Sequence, residues 1–302
     1  MPTKVKIIIP VYNGTRWLVR CLESVLAAGG EFSVEVVDNA SSDGSAELVQ
    51  ERFPGVSLVR VAQNVGFARA ANLGLHRALA EEVDWVVLLN QDTWVRPDWL
   101  TELLRGAIRA QLGIASPMQY DYEGRKLETH FARLLKWHGH DAGSAAADDR
   151  PVLLTEWVIG AAMVLRADVL RTVGNFDPNY FFYGEEIDLC RRALMHGFRI
   201  GVVTGSVVAH NEQTPEEASR PARIYHRLLG DYVYQLKSPD RPLPWLLARC
   251  GRNAVRDFCL GVIRHRPDYL KELVKVQWAL LRKLPAIVRR RRQERQCPQH
   301  LW

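Results

Sequence analysis

Between Val5 and Asn90 the chain alternates short β-branched runs with amphipathic helical stretches, and few architectures accommodate that alternation. Val5 to Pro10 reads as a buried strand, followed by a helix with apolar residues at Trp17, Leu18, Cys21, Leu22, Val25 and Leu26. Ser33 to Asp38 reads as a second strand, and Asp43 to Arg52 as a short helix capped by Ser42 or Asp43. Val56 to Val61, then a helix from Phe67 to Ala80, then the strongly apolar Asp84 to Asn90 repeat the pattern. Strand and helix in this order predict a parallel α/β sheet covered on both faces. Ligands of such sheets sit beyond the carboxyl ends of the strands, where Tyr12, Asp38, Asn39, Asn90 and Asp92 fall.

The second half is less regular. Pro97 to Ala110 reads as a helix with Pro97 in its first turn. Residues 119–151 are polar and irregular, include a Ser-Ala-Ala-Ala-Asp-Asp segment at 144–149 expected to be mobile, and suit a lid or binding loop. Patterning returns from Trp157 to Arg166. An aromatic stretch, Asn179 to Gly184, precedes a helix from Glu185 to Met195 with Gly197 just past its end. Arg199 to Val203 and Ser206 to His210 read as short strands, and helices interrupted at Pro239, Pro242, Pro244 and Pro267 follow Glu216.

A chain of 302 residues with 47% hydrophobic and 25% charged residues can bury a full core, which excludes global disorder. Cys21, Cys190, Cys250, Cys259 and Cys297 are scattered with no CxxC pair, so neither a zinc knuckle nor a disulfide framework is expected and a reducing compartment is. Neither Ile7 to Val11 nor Trp157 to Leu165 is long enough to serve as a signal core or a membrane span, so a cytoplasmic chain is expected. Charge is uneven: residues 241–302 hold 15 Lys and Arg against 4 Asp and Glu, or +11, leaving −5 for the rest. An acidic body with a basic tail points to an anionic partner for the tail.

Several polar groups stand where chemistry could occur, each with a plain structural reading beside it. Asp38 ends a strand and could accept a hydrogen bond from a ligand N–H; the alternative is a helix-entry signal. Asn90-Gln91-Asp92 could offer oxygen to a hard divalent cation, or form an ordinary turn. Glu185, Glu186 and Asp188 could supply a general base, or simply answer a helix dipole. His210 matters only if the fold brings it near Asp92; His138 and His140 suit the surface or an acceptor contact. The chain has no GxGxxG after its first strand and no GxxxxGK[ST], which argues against dinucleotide and P-loop binding.

Seven blocks in order carry a resemblance: Ile7-Ile-Ile-Pro-Val-Tyr-Asn13, Val37-Asp-Asn-Ala-Ser-Ser-Asp-Gly-Ser45, Asn64-Val-Gly-Phe-Ala-Arg-Ala-Ala-Asn-Leu-Gly74, Leu88-Leu-Asn-Gln-Asp92, Gly160-Ala-Ala-Met-Val-Leu-Arg166, Val173-Gly-Asn-Phe-Asp177 and Phe181 through Arg192. Together they resemble family 2 glycosyltransferases, in the form found in bacterial rhamnosyltransferase-like members. The resemblance, over roughly residues 4–235, implies a GT-A fold, so a catalytic region is expected at 1–238 (a nucleotide-binding half, 1–95, and an acceptor half, 96–238), followed by the basic helical region at 239–302 that the charge pattern marks. It implies that Pro10, Val11, Tyr12 and Asn13 line the nucleotide pocket, that Asp38 meets the nucleobase, and that Asn64 and Gly66 lie near base and ribose. Asn90, Gln91 and Asp92 would meet the donor, with Asp92 holding Mg²⁺ or Mn²⁺ and Asn90 standing where the family has an acid. His210 would be a further metal ligand, Glu186 the catalytic base with Glu185 and Asp188 beside it, and Trp157, Gly160 and Tyr183 acceptor contacts.

The resulting expectation is an inverting, metal-dependent transfer from a nucleoside-diphosphate sugar, dTDP-rhamnose or a UDP-sugar, to a saccharide or lipid-linked saccharide in cell-surface polysaccharide assembly. The rivals are a non-catalytic nucleotide-sugar-binding scaffold, and a sugar nucleotidylyltransferase, which would need a Gly-rich, Arg-containing loop where Pro10 to Thr15 stand. Nucleic acid is not an expected partner, because the tail lacks interleaved aromatics. In the tail, Leu270, Leu273, Leu280, Leu284 and Ile287 recur at helical spacing beside Lys271, Lys275, Arg282 and Arg289, with a run of four cations from Arg289 to Arg292. That pattern predicts peripheral contact with an anionic membrane through 241–302; the alternative is packing on the catalytic domain or on a second subunit of a homo-oligomer.

Overall fold

The computed structural model describes residues 3–140, 151–211 and 214–295; the 144–149 segment expected to be mobile lies outside them. Among the described residues, nine strands form one sheet in the order β3-β2-β1-β4-β8-β6-β9-β5, with β7 also paired to β9. β1 (Val5–Val11) lies between β2 (Ser33–Asp38) and β4 (Trp85–Leu89), and β3 (Ser57–Arg60) pairs with β2, all in parallel as the alternation predicts.

Beyond β4 the sheet turns mixed. β8 (Ala162–Arg166) runs antiparallel to β4 and to β6 (Leu112–Tyr120). β9 (Arg199–His210) is parallel to β6 and antiparallel to β5 (Thr93–Val95) and β7 (Val152–Leu154). The α/β class holds. The change of direction escapes sequence patterning because a strand buried on both faces reads as an apolar run whichever way it points. β9 is also one strand rather than two: the break expected near Thr204 is a register shift, where Pro117 pairs with Val203 but Met118 with Val207. Pro117 has no N–H to give the ladder, which suits a bulge there.

Among the described residues these strands are accompanied by α1 (Thr15–Leu26), α2 (Ser45–Arg52), α3 (Phe67–Ala80), α4 (Trp99–Arg109), α5 (Thr129–Trp137) and α6 (Ala167–Val173). Ile7, Ile9, Val36, Val87 and Leu89 join Leu18, Leu22 and Val25 of α1 and Leu103 of α4 in one buried core. Three local expectations need correction. The cap position of α4 is Asp98, so Pro97 precedes the helix instead of opening it. The polar 119–151 stretch contains α5, whose first-turn Phe131 N donates to the Glu128 side chain at 2.6 Å. The cap position of α2 is Gly44, with a φ of 86° that disfavours any side chain. Asp43 serves two helix starts instead, accepting from Ser45 N at 3.1 Å and from Thr15 N at 3.0 Å.

Packing divides the chain into Met1–Phe176 with Leu189–Glu212, which holds the sheet, and Asp177–Asp188 with Gln213–Trp302. α7 (Glu185–Met195) has its first turn in the second unit and the remainder in the first. The second unit contains α8 (Pro215–Ala218), α9 (Pro221–Leu236), α10 (Leu243–Ile263) and α11 (Pro267–Arg295). α9 and α11 pack together, and Leu273, Val276, Leu280 and Ile287 of α11 are buried. The leucine stripe expected to face a membrane is therefore mostly a packing face, with Leu270 and Leu284 half-buried at its margin. Among the described residues no helix is long and apolar enough to cross a membrane.

Candidate active site

The carboxyl ends of β1 and β2 meet through register, with Val11 opposite Asp38 and Asn39 N donating to Val11 O at 2.7 Å. Of the four residues expected to line a nucleotide pocket here, Pro10 and Val11 are buried within β1, while Tyr12 and Asn13 are exposed. Asn13 adopts a left-handed φ of 51°, and its Oδ1 accepts from Ser42 N at 2.9 Å, tying the two strand ends together. Asp38 is buried: Oδ2 accepts from Ser41 N at 3.2 Å, and Oδ1 has no hydrogen-bond partner. A buried acceptor left unmet costs about 1–3 kcal/mol, so Oδ1 is placed to gain from a donor supplied by a ligand. Asn64 Oδ1 accepts from Asn39 Nδ2 at 3.0 Å and from Gly66 N at 2.9 Å, which brings the Asn64–Gly66 turn to the end of β2.

The β4–β5 turn supplies the second half of the site. Gln91 reads as a donor contact in sequence, but its amide latches the backbone of Tyr12: Oε1 accepts from Tyr12 N at 2.9 Å and Nε2 donates to Tyr12 O at 3.2 Å. A Cβ on Gly14 would come within 2.5 Å of Gln91 Oε1, so this latch needs glycine at 14. Asn90 is half-buried at the same turn, and its carbonyl accepts from Thr93 Oγ1 at 2.7 Å. Cys21 lies behind the turn, where burial pushes its thiol up to about 12, too high for a nucleophile.

Pairing of β5 with β9 sets Thr93 opposite His210, and Asn211 N donates to Asp92 O at 3.0 Å. His210 Nε2 consequently stands 3.6 Å from Asp92 Oδ1. The condition set by the sequence for His210 is met. Two donors held at ~2.1 Å by one divalent ion lie roughly 3–3.5 Å apart, so these atoms fit shared ligation with little movement. His210 Nδ1 is buried without a partner, leaving the ring free of a competing hydrogen bond that would fix it elsewhere.

The acidic turn belongs to the second unit. Tyr183 and Gly184 both take left-handed backbone, φ 73° and 90°, immediately before α7. Glu185 and Asp188 are buried and Glu186 is half-buried. Burial raises the carboxyls of both glutamates; Glu185 rises well above the ordinary range, first through burial and then through the neighbouring charges of Glu186 and Asp188. At Glu186 the backbone N–H groups of Glu186, Gly184 and Ile187 oppose the rise by favouring the ionised form. Three backbone N–H groups thus favour the ionised form of Glu186, against one at Glu185. Each also has one buried carboxylate oxygen without a hydrogen-bond partner. Asp188 does different work: it is 2.7 Å from Lys237 Nζ.

The remaining expected contacts sort unevenly. Trp157 is half-buried with its ring edge to His138 at 5.9 Å, and Gly160 lies in the turn before β8. His138 and His140 are structural: Glu156 N donates to His138 Nε2, and His140 Nε2 meets Leu154 O, so both hold the β7 segment to α5. Tyr183 accepts from Arg223 at 3.1 Å, and Phe181 stacks on His226. Three positioning residues went unread in sequence. Arg192 is buried and donates to the carbonyls of Val173 and Asn175; Asn72 pairs both amide atoms with the backbone of Phe176; Lys237 binds the acidic turn. Arg192 and Asn72 lie inside the seven blocks that carry the resemblance, which is the signal that could have found them; Lys237 lies outside them.

Comparison with known proteins gives the chain a family and a fold. Residues 6–173, more than half the chain, match the family described as Glycosyl transferase family 2. A Mycobacterium tuberculosis N-acetylglucosaminyl-diphospho-decaprenol L-rhamnosyltransferase is 27% identical over 275 residues, covering 80% of this chain and 88% of that protein. A pre-mycofactocin glycosyltransferase from the same organism is 31% identical over 217 residues, covering 70% of this chain and 43% of its own length. Among solved structures, the Pyrobaculum calidifontis mannosyltransferase PcManGT, in complex with GDP-Man and Mn²⁺, superposes with a TM-score of 0.58 at 19% identity, over 95% of this chain and 78% of its own. S. aureus TarS 1–349 with UDP-GlcNAc gives 0.57 at 16%, over 97% and 91%. These two show the shared GT-A fold.

Proposed function

This chain belongs to glycosyl transferase family 2, and from that premise we propose that it moves a sugar, with inversion, from a nucleoside-diphosphate sugar to an acceptor hydroxyl. The donor is dTDP-rhamnose or a UDP-sugar, and the acceptor a saccharide or lipid-linked saccharide of cell-surface polysaccharide assembly. The M. tuberculosis relative named for a diphospho-decaprenol substrate supports a polyprenyl-linked acceptor. Such an acceptor places the enzyme at the cytoplasmic face of a membrane.

The observation that carries this reading is the 3.6 Å approach of Asp92 and His210, to which the partnerless Oδ1 of Asp38 at the end of β2 adds a second unmet acceptor. Asp92 and His210 would hold a divalent cation, Mg²⁺ or Mn²⁺, and a bound cation offsets negative charge on a departing diphosphate. Asp38 accepts a hydrogen bond from the nucleobase, and the latched backbone at Tyr12 holds the nucleotide edge of the pocket in place. Glu186 removes the proton of the attacking hydroxyl while its oxygen approaches the anomeric carbon from the face opposite the diphosphate. One displacement inverts that centre. Asp188, paired with Lys237, steadies the helix turn that carries this base.

The direct test is nucleoside-diphosphate release from a panel of donors with polyprenyl-diphosphate-linked acceptors, with and without added Mg²⁺ or Mn²⁺. Acceptor-dependent release that requires the metal, with inverted product stereochemistry, is the expected result. Retained stereochemistry, or full activity in excess chelator, would overturn the mechanism.

A further inference from the structure

Ten of the seventeen large hydrophobic residues exposed among the described residues lie in α10 and α11, a small share of the chain. They are organised. On α11, Val274, Trp278 and Leu281 recur at i, i+4 and i+7, with Pro285 exposed at i+11; Trp278 and Leu281 are 64% and 65% exposed. This stripe is separate from the buried one formed by Leu273, Val276, Leu280 and Ile287. Lys271, Lys275, Arg282 and Arg289 fall along one edge of it at helical spacing, and all four are exposed. On α10, Leu247, Val255, Phe258 and Val262 form a second outward stripe at i, i+8, i+11 and i+15, with Arg252 and Arg256 exposed nearby. Helices with one apolar face in a core normally leave a polar face to water; here both helices leave apolar rows bordered by cations.

We propose that the outward stripes of α10 and α11 dock this chain on an anionic phospholipid surface. The α11 face is therefore not the leucine row read from the sequence but the row Val274–Trp278–Leu281. Charge decides the occupant. Residues 241–302 sum to +11, so a second copy would bring the same positive field to the same face, whereas anionic headgroups complement it. An apolar strip edged by Lys and Arg is the arrangement that lies in a membrane interface, with the rings and leucines among acyl chains and the cations at the phosphates. A cavity of about 480 Å³ lined by Leu284, Pro285, Val288, Arg289, Arg292 and Gln293 extends the same combination toward the end of α11.

The proposal gives a location to the acceptor assigned above and rests on that reading only for its purpose; lipid binding is measured without turnover. Full-length protein is sedimented with phosphatidylcholine vesicles and with vesicles containing a third phosphatidylglycerol, at low and high salt. Trp278→Ser with Leu281→Ser, and separately Phe258→Ser with Val262→Ser, are compared with the parent, with thermal melting and nucleoside-diphosphate binding as controls. Expected is binding to the anionic vesicles that weakens in high salt and falls at least tenfold in the α11 double variant, with melting and nucleotide binding unchanged. No anionic-vesicle binding by folded protein, equal binding by both double variants and the parent, or a dimer that the variants dissociate would overturn it. Vesicle binding without transfer activity would instead sink the transferase reading and leave this one standing.

Discussion

Lys237 Nζ lies 2.7 Å from Asp188 Oδ1, with both side chains shut off from solvent, at a point two residues after Glu186. The same ammonium stands 2.7 Å from Asp177 and 2.8 Å from Glu294. These three carboxylates converge as a cation cage would, and the lysine occupies it. The end of α9 and the last turns of α11 thereby clamp the first turn of α7.

Removal of that cation leaves buried carboxylates without compensation, a change that typically costs about 3–5 kcal/mol. Lys237→Met is expected to lower the urea midpoint of the full chain by a corresponding amount, while a parent-like midpoint would mean the cluster is energetically idle. A chain ending near Ser238 should fare worse still. It loses Glu294 and also the apolar row of α11 packed against α9, so it is no clean probe of the tail.

How legible was all this? The β1–β4 half of the sheet follows from alternation because each parallel strand is a short apolar run with helices between. Asp38, Asn39 and Asp92 were readable as polar residues at strand ends, and Asn64 only through the family resemblance. Their juxtapositions were not: Asp92 meets His210 only because β5 and β9 pair across more than a hundred residues of sequence. Gln91 and Lys237 defeated sequence reading for another reason. A glutamine in a turn and a lysine at a helix end are ordinarily solvated, and only tertiary packing reveals that one latches a backbone and the other is buried among acids. The tail was half legible: its amphipathicity is evident, but a helix with two apolar rows does not announce which one the core takes.

Asp92→Ala is expected to abolish metal-dependent nucleotide binding, since it removes the charged oxygen donor of the pair. His210→Ala, which removes a neutral nitrogen donor, should weaken it less. Isothermal titration with a nucleoside diphosphate, with and without Mn²⁺, checks both. Identical isotherms for the parent and Asp92→Ala would dismiss the assignment.

Glu186→Gln preserves shape but cannot take a proton, so donor affinity should persist while turnover falls about 10²–10⁴-fold. In the parent, turnover should decline as pH drops through the raised ionisation of Glu186, at a pH above that of an ordinary glutamate. Stability follows the opposite sign: a buried acid with a raised native pKa favours the fold when protonated, so the contribution of Glu185 fades as pH rises through its native value. Glu185→Gln should therefore flatten the stability profile between the ordinary glutamate pKa and the raised native one, and retain turnover. If Glu185→Gln is dead and Glu186→Gln active, the base has been assigned to the wrong carboxylate.

Gln91→Ala unlatches Tyr12 without touching Asp92. Loss of two hydrogen bonds to backbone should loosen the β1 end and raise the donor KM about tenfold, with a smaller effect on kcat, a split that steady-state kinetics resolves. A fall in kcat alone would instead give Gln91 a direct part in the chemistry.

Asp38→Asn tests the nucleobase contact most sharply, because the two carboxylate oxygens already have separate duties. Oδ2 accepts from Ser41 N, and Oδ1 is the buried acceptor with no partner. An asparagine carries one acceptor and one donor in the same outline. If its oxygen stays with Ser41, its NH₂ faces the position of the ligand donor and repels it. If the amide turns over, Ser41 N meets a donor and the loop that opens α2 loses its tie. Either orientation forfeits one charge-assisted hydrogen bond, about 1.5–3 kcal/mol, which corresponds to nucleoside-diphosphate affinity lower by roughly 10- to 100-fold. Turnover at saturating donor should be little changed, since the reacting centre is untouched. Comparison of uridine and thymidine diphosphates, which present an imide N–H, with cytidine diphosphate, which does not, gives the decisive reading. The variant should lose its preference between them, whereas an undiminished preference would place base recognition elsewhere than Asp38.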